Sequence, residues 1–311
     1  EGAWAPGAAS NWWLHHALAS LDRQLRAAGS RLILARGPSI DALREAAVKT
    51  GATSVFWNRR HEPAAAARDA GTAAALRAAG LEPRQFKALL HEPADVQSGS
   101  GKPYQVFTAF WRACSAMPPV SRPLPVPRVL PAPPAWPASE PLADFDLLPK
   151  ISWDEEMRRA WTPGEPAARA ALSAFMKDHL DDYAAARDRP GEAGTSRLSP
   201  HLHFGEISAR EAVHALEAAR VRRPEAAKAV DRFQQELGWR EFAHHLLHHF
   251  SHTPDAALRP AHDKFPWRKD VEGLRRWQKG LTGYPIVDAG MRQLWRTGWM
   301  HNRVRMVVAS F

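Results

Sequence analysis

Ten of the chain's 26 prolines fall within residues 118–141. Proline has no backbone N–H and clashes with the preceding helical turn, so neither a helix nor a central strand can run through such a stretch. The segment reads as an extended linker. It divides the 311 residues at 118–150 into two parts, each of a size that can bury its own core. The two parts are patterned differently.

Before the linker, helical and strand patterns alternate. Residues 11–28 place Trp12, Trp13, His16, Leu18, Leu21 and Leu25 on one helical face. The short apolar run Leu32-Ile33-Leu34-Ala35 reads as a buried strand. Residues 39–50 read as a helix with Ser39 as a candidate N-cap. Ser54-Val55-Phe56-Trp57 reads as a second strand, Ala-rich 63–79 as a helix, and 84–90 as a weaker strand. This order predicts an α/β parallel-sheet, Rossmann-like domain over 1–117. No Gly-x-Gly-x-x-Gly is present, so the usual dinucleotide fingerprint is missing. After the linker, 151–311 predicts an all-α domain, with helices at 165–187, 206–219, 225–250, 270–280 and 285–298.

Composition narrows the function classes. An apolar share of 45% and a charged share of 24% exclude a fully disordered chain. No run reaches the ~20 apolar residues that cross a bilayer, and no basic stretch followed by an apolar core opens the chain. Cys114 is the single cysteine, which excludes an internal disulfide and fits a reducing cytoplasm. Lys and Arg number 42 against 33 Asp and Glu, with a pI of about 10.1, a balance that favours polyanionic partners. Residues 262–311 carry ten Lys/Arg against four Asp/Glu and make the better polyanion-facing surface. Thirteen Trp against three Tyr assign many indoles to packing, stacking or electron transfer. The start at Glu1 and the apolar finish Val307–Phe311 read as the ends of a fragment.

Five segments could carry chemistry. Gly194-Thr195-Ser196-Arg197-Leu198-Ser199-Pro200 combines a glycine bend, small hydroxyls and a fixed charge, which suits phosphate oxygens; from spacing alone a capped loop between helices is the better reading. In Glu236-Leu237-Gly238-Trp239-Arg240-Glu241-Phe242, Glu236 and Arg240 are i and i+4 and form either a solvated ion pair or, with the flat Trp239, the lining of a cavity. His244, His245, His248, His249 and His252 have the i, i+4 spacing of metal ligands. They lack an interposed Glu or a clustered Cys or Asp, so a packed or solvated helix face is the better reading. Trp299-Met300-His301-Asn302-Arg303-Val304-Arg305-Met306 reads as a basic helix end, or as one arginine toward phosphate and the other inward. Trp267, Trp277, Trp295 and Trp299 crowd one stretch, where core packing competes with electron hopping.

Taken in order, Thr195–Pro200, Glu236–Phe242, Thr282-Gly283-Tyr284-Pro285-Ile286-Val287-Asp288-Ala289-Gly290-Met291-Arg292 and Gly298–Met306 resemble the DNA photolyase/cryptochrome family, most of all the class I cyclobutane pyrimidine dimer photolyases. The resemblance implies an α/β antenna domain, a wandering linker and a helical FAD-binding domain. It implies FAD as cofactor, a second antenna chromophore of unassigned identity, and UV-damaged DNA as partner. The expected protein is a cytoplasmic monomer without a membrane role. Its reaction would be light-driven: reduced FAD lends an electron to a flipped dimer, the ring splits, and the electron returns. A stacked lesion is out of reach, so base flipping is implied.

By position, the resemblance assigns Tyr183, Thr195, Ser196, Arg197, Leu198 and Ser199 to the FAD phosphates and ribityl chain, with Phe233 at a frequent aromatic position. Glu236 would border the flavin and hydrogen-bond the dimer, and Asn302 would lie between dimer and flavin. Trp239 and Met306 would pack on the two thymines, while Arg187, Arg240 and Arg303 would face DNA. Trp267 matches the exposed end of a tryptophan chain that photoreduces FAD. Arg305 matches a buried arginine. Ala64-Ala65 replace the Asn-Glu pair of folate-antenna members, and the family's first strand and the segment after Phe311 are absent from the chain. Asn302 departs from the His of (6-4) photolyases. Cryptochrome signalling without repair and cofactor-free DNA binding are the alternative functions.

Overall fold

In the computed structural model, residues 4–266 and 268–311 are described. The expected Trp267 role lies outside the described residues. The part before the linker runs α1 (Ala8–Ala27), α2 (Ser39–Thr50), β1 (Ser54–Asn58), α3 (Pro63–Ala78), β2 (Glu82–Phe86) and α4 (Phe107–Ser115). β1 and β2 pair in parallel, with Ser54 opposite Glu82 and Asn58 opposite Phe86. α2 keeps its predicted bounds and ends at Gly51, whose φ of 68° is the left-handed conformation glycine adopts freely.

The first expected strand is a correction. Leu32–Ala35 forms no ladder with the sheet. Its backbone groups are taken elsewhere: Leu32 N donates to Asp22 Oδ1 (2.9 Å), Leu34 N to Ser139 Oγ (3.0 Å), and Leu34 O accepts from Glu140 N (2.9 Å). The returning linker therefore takes backbone groups of Leu34 that a ladder would need. β2 covers 82–86 rather than 84–90. Its Pro83 is tolerated because both strands of a two-stranded sheet are edges.

The linker is strapped to both sides. Leu130 N bonds Ala28 O (2.7 Å) and Glu140 pairs with Arg36 (2.8 Å). His214 Nε2 lies 3.0 Å from the carbonyls of Val120 and Ser121.

Beyond the linker the described residues are helical: α5 (Glu155–Ala160), α6 (Glu165–Asp178), α7 (Tyr183–Ala186), α8 (Ser199–His203), α9 (Ala209–Arg222), α10 (Ala227–His249), α11 (Val271–Gln278), α12 (Pro285–Thr297) and α13 (Asn302–Ser310). The single helix expected over 165–187 breaks after Asp178, where the chain turns and drives Leu180 fully into the core. α9 starts three residues later than expected because the Ser208 hydroxyl accepts Glu211 N (3.0 Å), the first half of a Ser-x-x-Glu capping box. Leu172, Phe175, Leu216, Val230, Phe233 and Leu237 join α6, α9 and α10 in one core. Val287, Met291, Met300, Val304 and Val308 join α12 to α13.

The parts meet along two seams. Trp12 and Trp13 of α1 bury against Met157 and Trp161, not against the sheet. Glu206 binds this seam by accepting Trp13 Nε1 (3.0 Å) and Gly164 N (2.7 Å) and by pairing with His201. At the second seam, α4 and the segment after β2 dock on α10 through Val96, Phe110, Cys114 and Phe242. Glu241 accepts Leu90 N (2.8 Å) and His91 N (3.3 Å). His245 Nε2 accepts Tyr104 N (3.1 Å), and His249 Nε2 meets Pro93 O at 3.0 Å. His61 packs edge-on to His244 and His248, with ring centroids 5.9 and 5.6 Å away. The histidine face of α10 is thus a docking face. Among the described residues no helix is long and apolar enough to cross a membrane.

Two predictions follow from the second seam. Gly238 has no room for a side chain, since a Cβ there would lie 2.4 Å from Trp111 Cε3. Gly238→Ala should destabilise the protein by about 1–3 kcal/mol through overpacking, read from chemical denaturation; an unchanged midpoint contradicts the close approach. Burial pulls His244 and His245 from the ordinary 6.5 down to about 4. Their neutral forms support folding above pH 6.5, and that support is lost as pH falls from 6.5 to 4. Burial also pushes Glu241 up from 4.5 to about 7, so its support is complete below 4.5 and fades as pH rises to 7. His244→Asn/His245→Asn should therefore lose less stability on acidification than the parent, whereas Glu241→Gln should lose more. Parallel pH profiles for all three proteins rule this out.

Candidate functional site

The loop from Gly194 to Ser199 lies on α7 because Gly194 lacks a Cβ, which would sit 2.6 Å from the Ala186 backbone. Arg197 adopts a left-handed φ of 52°. That turn sends Leu198 into the core at 1% exposure and brings Leu198 N to Ser196 Oγ (3.4 Å). The Arg197 guanidinium lies over Trp161 (4.2 Å) and Trp299 (5.2 Å), a cation–π clamp that offsets the backbone strain. Thr195 and Ser196 are half-buried and Ser199 is exposed. Among the described residues, no protein group takes the Thr195 or Ser199 hydroxyl. A short loop carrying small hydroxyls and one ring-held cation fits a phosphate-bearing cofactor.

Behind the loop, Tyr183 is buried, and burial pushes its phenol up to about 12. Its ring meets Phe175 and Phe233 at 5.3 Å, and the Arg187 guanidinium lies 5.9 Å from it. Arg187 extends from the end of α7 to Glu236 on α10, with Nη1 2.8 Å from Oε1. Arg232 approaches the same oxygen at 3.7 Å. Asp188 stands between two cations, 2.8 Å from Arg303 Nε and 3.7 Å from Arg187 Nε. The hydrogen bond from Arg303 holds the Asp188 carboxyl below its ordinary range. Arg303 Nη1 also lies 3.6 Å from Met306 Sδ. Charges alternate along this row, Arg303–Asp188–Arg187–Glu236–Arg232, and tie α13 to α7 and α10.

Three expectations change here. Arg187 is only 4% exposed and ion-paired, so it supports Glu236 instead of meeting a DNA phosphate. Glu236 and Arg240 do not pair as i and i+4: Glu236 turns to Arg187, and Arg240 to Glu241 Oε1 at 3.0 Å. Arg305, matched to a buried arginine, is exposed. Asn302 is exposed at the start of α13.

Trp239 lies one helical turn beyond Glu236 on α10 and is 47% exposed. It stacks on Phe107 of α4 with centroids 3.7 Å apart and planes 10° apart. Phe107 is in turn nearly parallel to Trp111, at 6.3 Å and 9°. Trp277 gives its indole N–H to Val308 O (3.0 Å), a packing role.

Sequence reasoning missed Asp188, whose only signal was its place beside Arg187. It missed Phe107, which no local pattern marks. It also passed over His301, whose Nδ1 accepts Arg303 N (3.1 Å) and so caps α13.

A family model described as DNA photolyase matches residues 1–131, and one described as the FAD binding domain of DNA photolyase matches residues 233–311. A deoxyribodipyrimidine photo-lyase of Agrobacterium fabrum is 46% identical over 98% of this chain and 64% of its own length. Cryptochrome-1 of Arabidopsis thaliana is 37% identical over 100% of this chain and 47% of its own length. A crystal structure of a bacterial class III photolyase from Agrobacterium tumefaciens superposes with a TM-score of 0.95 at 45% identity, covering 100% of this chain and 64% of that one. The chain thus spans less than two thirds of these relatives' length. Its two matched segments, and likeness of sequence and shape along its whole extent, show that it belongs to the DNA photolyase/cryptochrome family.

Proposed function

We propose that the chain forms the antenna part (1–117), linker (118–150) and much of the flavin- and DNA-binding part (151–311) of a deoxyribodipyrimidine photo-lyase, a carbon–carbon lyase that repairs cyclobutane pyrimidine dimers. One observation carries this reading: a half-exposed indole, Trp239, lies one helical turn from a carboxylate, Glu236, that a buried arginine holds in place. A flat apolar face beside a fixed hydrogen-bond acceptor suits a pyrimidine turned out of the duplex. The reading is that of a photolyase in the broad sense and not of class I, because the crystal structure at 45% identity is of a bacterial class III photolyase.

Tyr183, Thr195, Ser196, Arg197, Leu198, Ser199 and Phe233 are the residues that would hold FAD. When bound, FAD supplies light-driven electron donation to the dimer. Arg187 holds Glu236 in place, and Glu236 accepts hydrogen bonds from the pyrimidine edge. Trp239 would stack on one ring, with Met306 against the other, and Asn302 would lie between dimer and flavin. Arg303 and Arg240 face the strand, where neutralised phosphates make binding salt-dependent. Trp267 is the proposed surface end of the electron supply.

Cryptochrome signalling is the second reading, favoured by the 37% identity to a plant cryptochrome along the whole chain. The two readings separate on dimer DNA. The protein should bind a duplex carrying one thymine dimer more tightly than the undamaged duplex, with both affinities falling as salt rises; equal affinities across the salt series would sink the repair reading. Trp239→Ala should lose roughly 1–3 kcal/mol of dimer binding, measured by fluorescence anisotropy. Arg187→Ala should weaken dimer binding while leaving the affinity for undamaged DNA and its salt slope unchanged. A flatter salt slope in Arg187→Ala would restore the phosphate role for this residue.

A further inference from the structure

Trp239 is held by a residue from the other side of the linker. The indole keeps 47% of its surface exposed while Phe107 covers one face at 3.7 Å. An indole covered on both faces could not stay about half exposed, so the opposite face is open. The other ring contact of Trp239 among the described residues is edge-on, to Phe242, at 6.0 Å and 74°. Phe107 has little freedom of its own. It is the first residue of α4, nearly parallel to Trp111 on one side and edge-on to Phe242 at 5.9 Å. Trp111 can take its place only because position 238, next to Trp239, is glycine. Phe110 of the same helix is 1% exposed and packs on Phe242 and His245 of α10, at 5.2 and 5.0 Å. The row Trp239–Phe107–Trp111 therefore crosses from α10 to α4, and the α/β part of the chain fixes its inner end.

We infer that Phe107 is a positioning residue for Trp239: its ring sets the plane of the indole, leaving one face fixed and open for a pyrimidine turned out of DNA. The inference rests on the stacking role proposed for Trp239. An exposed tryptophan turns about two side-chain bonds, and a base that stacks on it must first stop that motion. A parallel ring on the back face stops it beforehand, which raises affinity without a new contact to the ligand. The specificity that follows is for a planar ring on the open face and is indifferent to the base's hydrogen-bonding edge, which Glu236 reads.

Two substitutions separate positioning from bulk. Phe107→Tyr keeps the flat ring, whereas Phe107→Leu keeps apolar volume and loses the plane. The protein is labelled with 5-fluorotryptophan, and the Trp239 fluorine resonance is assigned by its loss in Trp239→Phe. Without DNA, Phe107→Leu should shift that resonance toward its unfolded position, while Phe107→Tyr leaves it near the parent's. The fluorine signals of the buried Trp12 and Trp13 should not move in either variant, which shows that the fold is intact. With a thymine-dimer duplex, Phe107→Leu should lose about tenfold in affinity, a fraction of what removing a stacking partner costs. Phe107→Tyr should stay within about twofold, and undamaged duplex should bind all three proteins alike. A Trp239 resonance that is unchanged in Phe107→Leu overturns the inference. So does a shifted resonance with undiminished preference for the dimer in that variant. A shifted resonance in a protein whose parent form shows no preference for the dimer upholds the hold of Phe107 on Trp239 and instead overturns the repair reading.

Discussion

Glu241 is a carboxylate with 2% of its surface exposed, in the middle of the longest helix beyond the linker. Such a group is expensive to bury unless its oxygens are fully engaged. Here two backbone N–H groups from Leu90 and His91 and the Arg240 guanidinium engage them. The segment after β2 cannot leave α10 without exposing those amides and stranding the carboxylate. The rest of the site hangs on this attachment. Within ten residues, α10 turns Glu236 to Arg187, Gly238 to Trp111, Trp239 to Phe107 and His245 to Tyr104. One rigid helix thereby gives the residues before the linker a fixed position relative to the residues proposed to face DNA.

The second constraint is electrostatic and shorter in range. Ion pairs at the surface contribute little, and the ends of the Arg303–Asp188–Arg187–Glu236–Arg232 row are surface groups. Its centre is different. Arg187 is nearly inaccessible, so removing Glu236 would leave a buried cation with only Asp188 at 3.7 Å, the costly direction. The row therefore positions as much as it stabilises. α13 begins with His301 capping its first turn and Arg303 reaching back to Asp188, and this sets where Asn302 and Met306 stand relative to α7.

What could be read in the sequence follows from how local each cause is. The extent of α2 was legible because its periodicity is local, although Ser39, expected as the N-cap, is its first helical residue and Pro38 stands at the cap. The four family-like segments were legible for the same reason: each is a short run whose members sit together in the fold. Leu32–Ala35 was not, since its apolar pattern is that of a strand and only the returning linker, a hundred residues on, decides that its backbone pairs elsewhere. The i, i+4 pairing of Glu236 with Arg240 did not form, and Arg240 meets Glu241 instead, because helical spacing shows which residues share a face and not what packs on that face. Phe107 gave no signal at all. Its importance lies in a contact across 132 positions with a residue whose own pattern was equally consistent with a solvated helix.

The abundance of tryptophan also acquires a physical reason, and it is mostly not electron transfer. Trp12 and Trp13 bury α1 against Met157 and Trp161. Trp161 donates its indole N–H to Thr297 O (2.8 Å), and Trp161 and Trp299 both lie against the Arg197 guanidinium. Arg197 carries the unfavourable left-handed backbone that the hydroxyl-lined loop requires, and a flexible cation would not hold that turn alone. Two indole faces desolvate and fix the charge without neutralising it, as a carboxylate would. The guanidinium keeps its full positive charge for an anionic ligand while its position is set by rings anchored in α1's seam. Packing far from the loop, down to Trp13 and its bond to Glu206, is therefore part of what keeps the loop ready to meet a phosphate.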